Sequence, residues 1–312
     1  MASVEEIDAR GAPDALLLAI HEIEAACSPE RPHRSAELSL AYYRHWPTGV
    51  QRRFVARLDD KIEGAAVLML PSPTFVMAAL FVRPGSRRRG LGTALLEALK
   101  NAAREENATS FFADHFDGSG AAFARAVGAV DAQREVASEV RLREVEIPEP
   151  VVPPGWRLVS WRGATPDELI ESYARARNAV DDAPTPGGME MGVTDAAWVR
   201  AMEETAVARG REIRATVAVD ERGEVGAFTD VRVSPPPSAI ATTDDSATVA
   251  WARRQGLATA LKRESLRLLQ VERPDVEVVR TVNAEENIGM RAVNTGVGFV
   301  PTYIRTATIV TL

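Results

Sequence analysis

The sequence predicts an α/β fold made of two tandem halves, each a mixed, mostly antiparallel sheet flanked by helices. Three observations carry that expectation. A cationic, glycine-bearing stretch occurs twice, as RRRGLG at 87–92 and RRQGLA at 253–258. Each copy stands between a β-rich run and an apolar-striped helix, and a proline-rich segment separates the two contexts. With 312 residues, 46% hydrophobic and 26% charged, the chain suits about two domains and is too apolar to be disordered as a whole.

The elements follow in order. DALLLAIHEIEAAC at 14–27 reads as a helix, with the lone Cys27 as core. RRFVARLDD, KIEGAAVLML and TFVMAALFV read as strands, and the first cationic stretch follows. The next helix places Leu91, Ala94, Leu95, Ala98, Leu99 and Ala102 on one face by their spacing of three and four. A strand, ATSFFADHF, and a short helix ending near Gly128 complete the first half. In REVEIPEPVVPPGWRL, Pro148, Pro150, Pro153 and Pro154 block both helix and central strand. This predicts domains at 1–147 and 155–312 joined by a linker at 148–154. The second half repeats the order: EIRATVAVD, EVGAFTDVRV and AIATTDDSATV, the second stretch, a helix carrying Leu257, Ala260, Leu261, Leu268 and Leu269, the strand VEVVRTVN and a short helix ending at Gly298. Arg87 to Gly128 is 41 positions and Arg253 to Gly298 is 45, so the copies keep register apart from a slightly longer connection.

Composition excludes several functions. A formal net charge of −7 leaves no basic face for a nucleic-acid backbone. One cysteine allows no internal disulfide, no run of about 18 apolar residues offers a membrane span, and MASVEEIDARGAPD lacks an apolar signal core. A cytoplasmic protein with neither nucleic-acid nor membrane partners is expected, as monomer or homodimer. His21, His33, His45 and His115 have no metal-ligand spacing, and there is neither a Gly-x-Ser-x-Gly elbow nor a Walker-type lysine loop, so no metal is expected.

The repeated stretch has a physical use. A helix N-terminus presents unpaired N–H groups and a partial positive charge. Gly90 and Gly92 remove side chains that would keep an anion off those donors, and Arg87, Arg88 and Arg89 add full charges. Leu91 and Thr93 complete the first cradle; Arg253, Arg254, Gln255, Gly256, Leu257, Ala258 and Thr259 form the second. A Rossmann Gly-x-Gly-x-x-Gly requires different spacing at the first strand of a βαβ unit. Trp251, in the second loop, is either a lid over a bound base or simple packing.

Arg-x-x-Gly-x-Gly/Ala between a strand and an amphipathic helix resembles the GNAT family of acyl-CoA-dependent N-acetyltransferases, and the resemblance covers both halves. It implies that the two loops bind the pyrophosphate of coenzyme A, with acetyl-CoA as cosubstrate. NAEENIGMRAVNTGVGF looks like the family segment after that loop, with Asn287 at the asparagine that touches the pantetheine arm. Helix capping by Asn283 or Asn287 is the other reading of those residues. Many family members carry a tyrosine five residues before the closing phenylalanine, taken as the acid for the departing thiolate. Asn294 stands there, and asparagine donates a hydrogen bond but transfers no proton. The first half has Ala124 at that place, Asp117 for the asparagine and Gly128–Ala129 for the closing pair, so it is expected to be degenerate in chemistry. Before the second loop, Thr248, Val249 and Ala250 replace the Val82, Arg83 and Pro84 of the first.

The resemblance implies transfer of an acetyl group to a primary amine of a small molecule by direct attack, in the second half. The amine must first lose a proton, and Asp244 and Asp245 on TTDDSAT are the candidate bases, or else mark a strand-end turn; alternation would put them on opposite faces. Backbone N–H groups of that strand would polarise the thioester carbonyl. In RNAVDDAPTPGGMEMGVTDAAW, Asp181, Asp182 and Glu190 suit a cationic acceptor, with Met189 and Met191 for its apolar part, unless the loop is only a solvated acidic one. Asp114 or His115 offers a weaker site in the first half. The alternative is a non-catalytic acyl-CoA-binding or regulatory protein.

Overall fold

The computed structural model describes residues 3–28, 35–46, 49–72, 75–116, 118–186, 192–235 and 240–312. They fall into two compact units, Met1–Ala132 with Ala307–Leu312, and Gln133–Thr306.

In the first unit, β1 (Ser3–Ile7), β2 (Val50–Leu58), β3 (Lys61–Ser72) and β4 (Phe75–Val82) form an antiparallel meander. The β2–β3 turn is made by Asp59 and Asp60, both at positive φ, which suits the twist of a tight hairpin. β5 (Ser110–His115) runs parallel to β4, and the last residues of β12 (Val300–Thr311) lie beside it, with Leu312 N donating to the Thr109 carbonyl at 3.1 Å. Alternation divides the meander between two layers. Val55 and Ala65 pack on α1 (Asp14–Cys27) and α2 (Ala36–Arg44) through Leu17, Ile20 and Tyr43. Phe54, Ala56, Ala66 and Leu68 face Leu91, Leu95 and Leu99 of α3 (Leu91–Glu105), joined by Phe111 and Val310. α4 (Ser119–Ala126) follows β5.

In the second unit the order is β7 (Trp156–Arg162), β8 (Glu212–Asp220), β9 (Val225–Val233), β10 (Ile240–Thr248), β11 (Val278–Ala284), β6 (Val130–Arg141) and β12. Only β10 and β11 are parallel among the registered pairs. One face carries α5 (Asp167–Arg177) and α6 (Ala196–Ala208), whose Leu169, Tyr173 and Val199 pack on Val217, Val219 and Phe228. The other carries α7 (Leu257–Glu272), with Leu257 and Leu261 on Ala218 and Ala227, and Leu266 and Leu269 on Val231, Val233 and Val279. α8 (Ile288–Gly296) follows β11.

The mixed, mostly antiparallel sheet with helices is the expected architecture, but the chain is partitioned differently. Residues 135–141 are ladder-paired with β11, from Arg141 opposite Val278 to Glu135 opposite Ala284, and the units part at Ala132/Gln133. The proline-rich 148–154 segment, expected to part them at that point, lies inside the second unit as chain without helix or strand. Strands β1, β6, β7 and β12 were not anticipated from the sequence pattern.

Candidate functional site

The two cradles have one backbone design. A 3-10 turn at Pro84–Ser86 or Ala250–Ala252 leads into the loop, Arg88 and Arg254 each have φ 62°, and Gly90 and Gly256 stand at φ 83° and 81° immediately before α3 and α7. An arginine in the left-handed region costs roughly 1 kcal/mol, and the same departure in both copies marks the loop as shaped for a purpose. Arg87 Nε donates to the Val82 carbonyl at 3.1 Å, and Arg253 Nε to the Thr248 carbonyl at 3.0 Å. The first arginine of each motif therefore clasps the strand it follows. No side chain caps either helix, and a Cβ added at Gly90 or Gly256 meets nothing within 4 Å, so the first N–H groups open onto free space of the kind a pyrophosphate needs. Leu91 and Leu257 are core residues and offer the cradle only their backbone, while Thr93 and Thr259, with Ala258, lie on the first turn. Gly92 differs from expectation: its missing Cβ would sit 3.3 Å from Phe123, so it admits α4 rather than clearing the donors.

The halves diverge at the strand before the loop. In β10 the register against β9 slips between Thr243 and Ser246, so Asp244 and Asp245 form a bulge opposite Asp230. Pairing of β10 with β11 holds only at Ile240, Ala241 and Thr242, after which β10 stays with β9 and β11 with β6. A wedge thus opens between the carboxyl ends of two parallel strands, on the way to the second cradle. β4 and β5 also part early, with Met77 opposite Phe112, but Ala78 and Ala79 keep regular register with β3 at the places of the two aspartates.

The bulge cancels the alternation expected for Asp244 and Asp245 and brings both into one cluster of charge. Asp245 accepts from Arg177 Nη2 at 2.5 Å, and Asp244 pairs with Arg232. Arg177 also pairs with buried Asp230, which accepts from Tyr173 Oη at 2.6 Å. Burial pushes the Asp230 carboxyl up to about 6 against the pull of Arg177, and burial likewise raises Asp244 against Arg232. Asp230, Arg177 and Tyr173 were missed from sequence because a carboxylate in TDV and an arginine in a charged helix carry no spacing signal; only the α5–β9 packing joins them.

Other expected residues are placed as follows. Asn287 caps α8, its Oδ1 accepting from Met290 N at 3.1 Å. Asn283 caps nothing: its Oδ1 accepts from Asn294 Nδ2 at 2.6 Å, and Asn294 is buried as a tie between β11 and α8. Asp181 and Asp182 lie in a 3-10 segment after α5, where Asp182 pairs with Arg253 instead of standing open to an acceptor. Glu190, with Met189 and Met191, lies outside the described residues, as do Asp117 and His33. Gln255 accepts from Trp156 Nε1 at 2.9 Å, and Trp251 stacks on Trp156 with centroids 5.5 Å apart, which favours its packing reading. His115 at the end of β5 lies 3.3 Å from Asp131. Among the described residues no cluster of three or more His, Cys, Asp or Glu is arranged to hold a metal, and no helix is long and apolar enough to cross a membrane.

This geometry has known relatives. Residues 17–128 match the Acetyltransferase (GNAT) family, in the half expected to be degenerate. Curated protein sequences give no match. A tandem GNAT protein from the clavulanic acid biosynthesis pathway aligns over 100% of this chain and 98% of its own, at 25% identity and a TM-score of 0.84. A GCN5-related N-acetyltransferase from Sphaerobacter thermophilus aligns over 99% and 95%, at 16% identity and a TM-score of 0.74. A glucosamine N-acetyltransferase region of a fungal β-N-acetylglucosaminidase covers 99% of this chain and 38% of that one, at 17% identity and a TM-score of 0.68. The chain is thus a tandem GNAT-fold protein, with its GNAT sequence domain at residues 17–128.

Proposed function

We propose that the protein is an N-acetyltransferase that uses acetyl-CoA to acylate a primary amine of a small molecule, with the chemistry in the second half. The fold supports acyl-CoA-dependent acetyl transfer in general. The observation that carries the finer reading is the β10 bulge, which sets carboxylates beside the wedge that leads to the second cradle. The first half has a cradle of the same backbone design with alanines at the corresponding strand positions, so we assign it cofactor binding or scaffolding without chemistry.

Acetyl-CoA supplies an activated acyl group; the remaining work falls to this chain. The first turn of α7 and Arg254 hold the pyrophosphate. Asp245, about one-third exposed and anchored by Arg177, receives the acceptor ammonium and takes its proton, directly or through water. Bulge N–H groups freed from the ladder polarise the carbonyl under attack. Asn294 is buried and committed to Asn283, so the departing thiolate takes its proton from solvent. The acceptor is cationic, drawn by the carboxylates of the β10 bulge.

The test is thiol release from acetyl-CoA across a panel of small primary amines, on wild type, Asp245→Asn and Gly256→Asp. Acetylated amine from wild type, a loss of about 100-fold or more in kcat/KM for Asp245→Asn and abolished turnover for Gly256→Asp are expected. Binding of acetyl-CoA without transfer to any amine supports the non-catalytic alternative. Turnover abolished by Gly90→Asp and untouched by Gly256→Asp moves the chemistry to the first half.

A further inference from the structure

The two cradles share a backbone but carry different charge. In the first, Arg87 turns its Nη1 onto the neutral hydroxyl of Ser119 at 2.9 Å, Arg89 faces Asp59 across an exposed 3.7 Å gap, and Arg88 carries no ion pair among the described residues. In the second, Gln255 replaces the third arginine, and its side-chain oxygen is already committed to Trp156. Arg253, clasped through Nε to the strand, has its Nη2 on the carboxylate of Asp182, and Arg254 carries no ion pair among the described residues. An internal anion therefore sits on a guanidinium of the second anion cradle, and among the described residues the matching arginine of the first has no such carboxylate.

We propose that Asp182 is an affinity-setting residue, a built-in competitor for Arg253 that makes the second cradle the weaker of two coenzyme A sites. This rests on the reading of both loops as pyrophosphate cradles. The pair suits exchange: Asp182 and Arg253 are both about half exposed, and such pairs hold weakly, so an incoming pyrophosphate displaces the carboxylate at little cost but meets its repulsion. The Arg253 guanidinium stays in place during the exchange because its Nε remains on the Thr248 carbonyl. Asp182 lies in the segment Asn178–Asp182 that continues α5 beyond Arg177, the residue that grips Asp245.

Calorimetric titration of the full chain with coenzyme A tests this. Wild type should show two binding events of unequal affinity, with Gly90→Asp removing the tighter one. Asp182→Asn should tighten the weaker event about tenfold at low salt and leave the tighter one in place, with the gain shrinking as salt is added. Asp182→Ser, equally neutral, should reproduce the effect, and unchanged unfolding temperatures show that both variants fold. An unchanged or loosened weaker event in both variants overturns the proposal, as does a single event in wild type or loss of the weaker event in Gly90→Asp. No binding at all in wild type defeats the cradle reading itself, a different result from binding that ignores Asp182.

Discussion

Lys262 shows what a single residue costs this fold. It sits in the middle of the α7 core face, 3% exposed, with the ring of Phe299 at 5.6 Å and no ion pair among the described residues. Burial alone pushes its pKa down to about 8 from the usual 10.5. The unfolded chain therefore holds this proton between about pH 8 and 10.5 while the folded one has released it, so stability rises with pH through that window. Below pH 8 the folded protein carries the full penalty, roughly 3 kcal/mol at most. Lys262→Met is expected to gain 1–3 kcal/mol at pH 7 and to flatten the rise between pH 8 and 10.5, read by denaturant unfolding at both ends of the window. A wild-type profile already flat there contradicts the burial. Arg177, equally buried, is the opposite case, because Asp230 and Asp245 accept from it and aromatic rings of Tyr173, Trp198 and Phe228 surround it. Asp245 was expected as a base from its place on the strand; the arginine that holds it was not, because its partners lie 53 and 68 positions away.

At the scale of elements, glycines separate function from packing. Gly256 precedes α7 at φ 81° with open space where a Cβ would go, so Gly256→Ala should cost only the roughly 1–2 kcal/mol of a left-handed alanine. Gly226 on β9 has ordinary backbone but lies under the ring of Trp156, which a Cβ would approach to 2.2 Å. Since Trp156 also bonds Gln255 and stacks on Trp251, Gly226→Ala must displace the whole stack beside the second loop. We expect it to destabilise by more than 2 kcal/mol and to loosen coenzyme A binding, measured by thermal unfolding and calorimetry; equal and small effects at the two glycines would reject this view. Helices α1, α3 and α7 were readable because their stripes are long and regular, whereas α2 was not anticipated. Strand β6 was not: VDAQREVASEVR alternates poorly because it crosses from one unit to the other, and its neighbours are distant in sequence.

For the whole molecule, the notable fact is that neither half of the sequence is a unit of structure. Residues 307–312 belong to the first unit, where Val310 and Leu312 join the core around Phe111 and Leu99, and residues 133–141 belong to the second, as the strand beside β11. Cutting at the proline-rich segment leaves 1–147 without its last strand and 148–312 without β6. Neither fragment is expected to fold alone, and co-expression should restore a soluble complex, checked by circular dichroism and size exclusion. Two fragments that each melt cooperatively by themselves would show that the sharing is dispensable.

The sequence by itself determined the duplication, the α/β class, the two glycine-anchored loops and the acids on β10. Each rests on local chemistry: a helix start, a positive φ, a run of apolar residues at one spacing. Tertiary structure alone decided where the chain divides, that the β10 bulge sets Asp244 and Asp245 against Asp230 and Arg177, that Asn294 is a buried tie, and that Asp182 answers to Arg253. Strand register and ion pairing depend on partners that meet only when the sheet assembles, and no local pattern encodes such a partner.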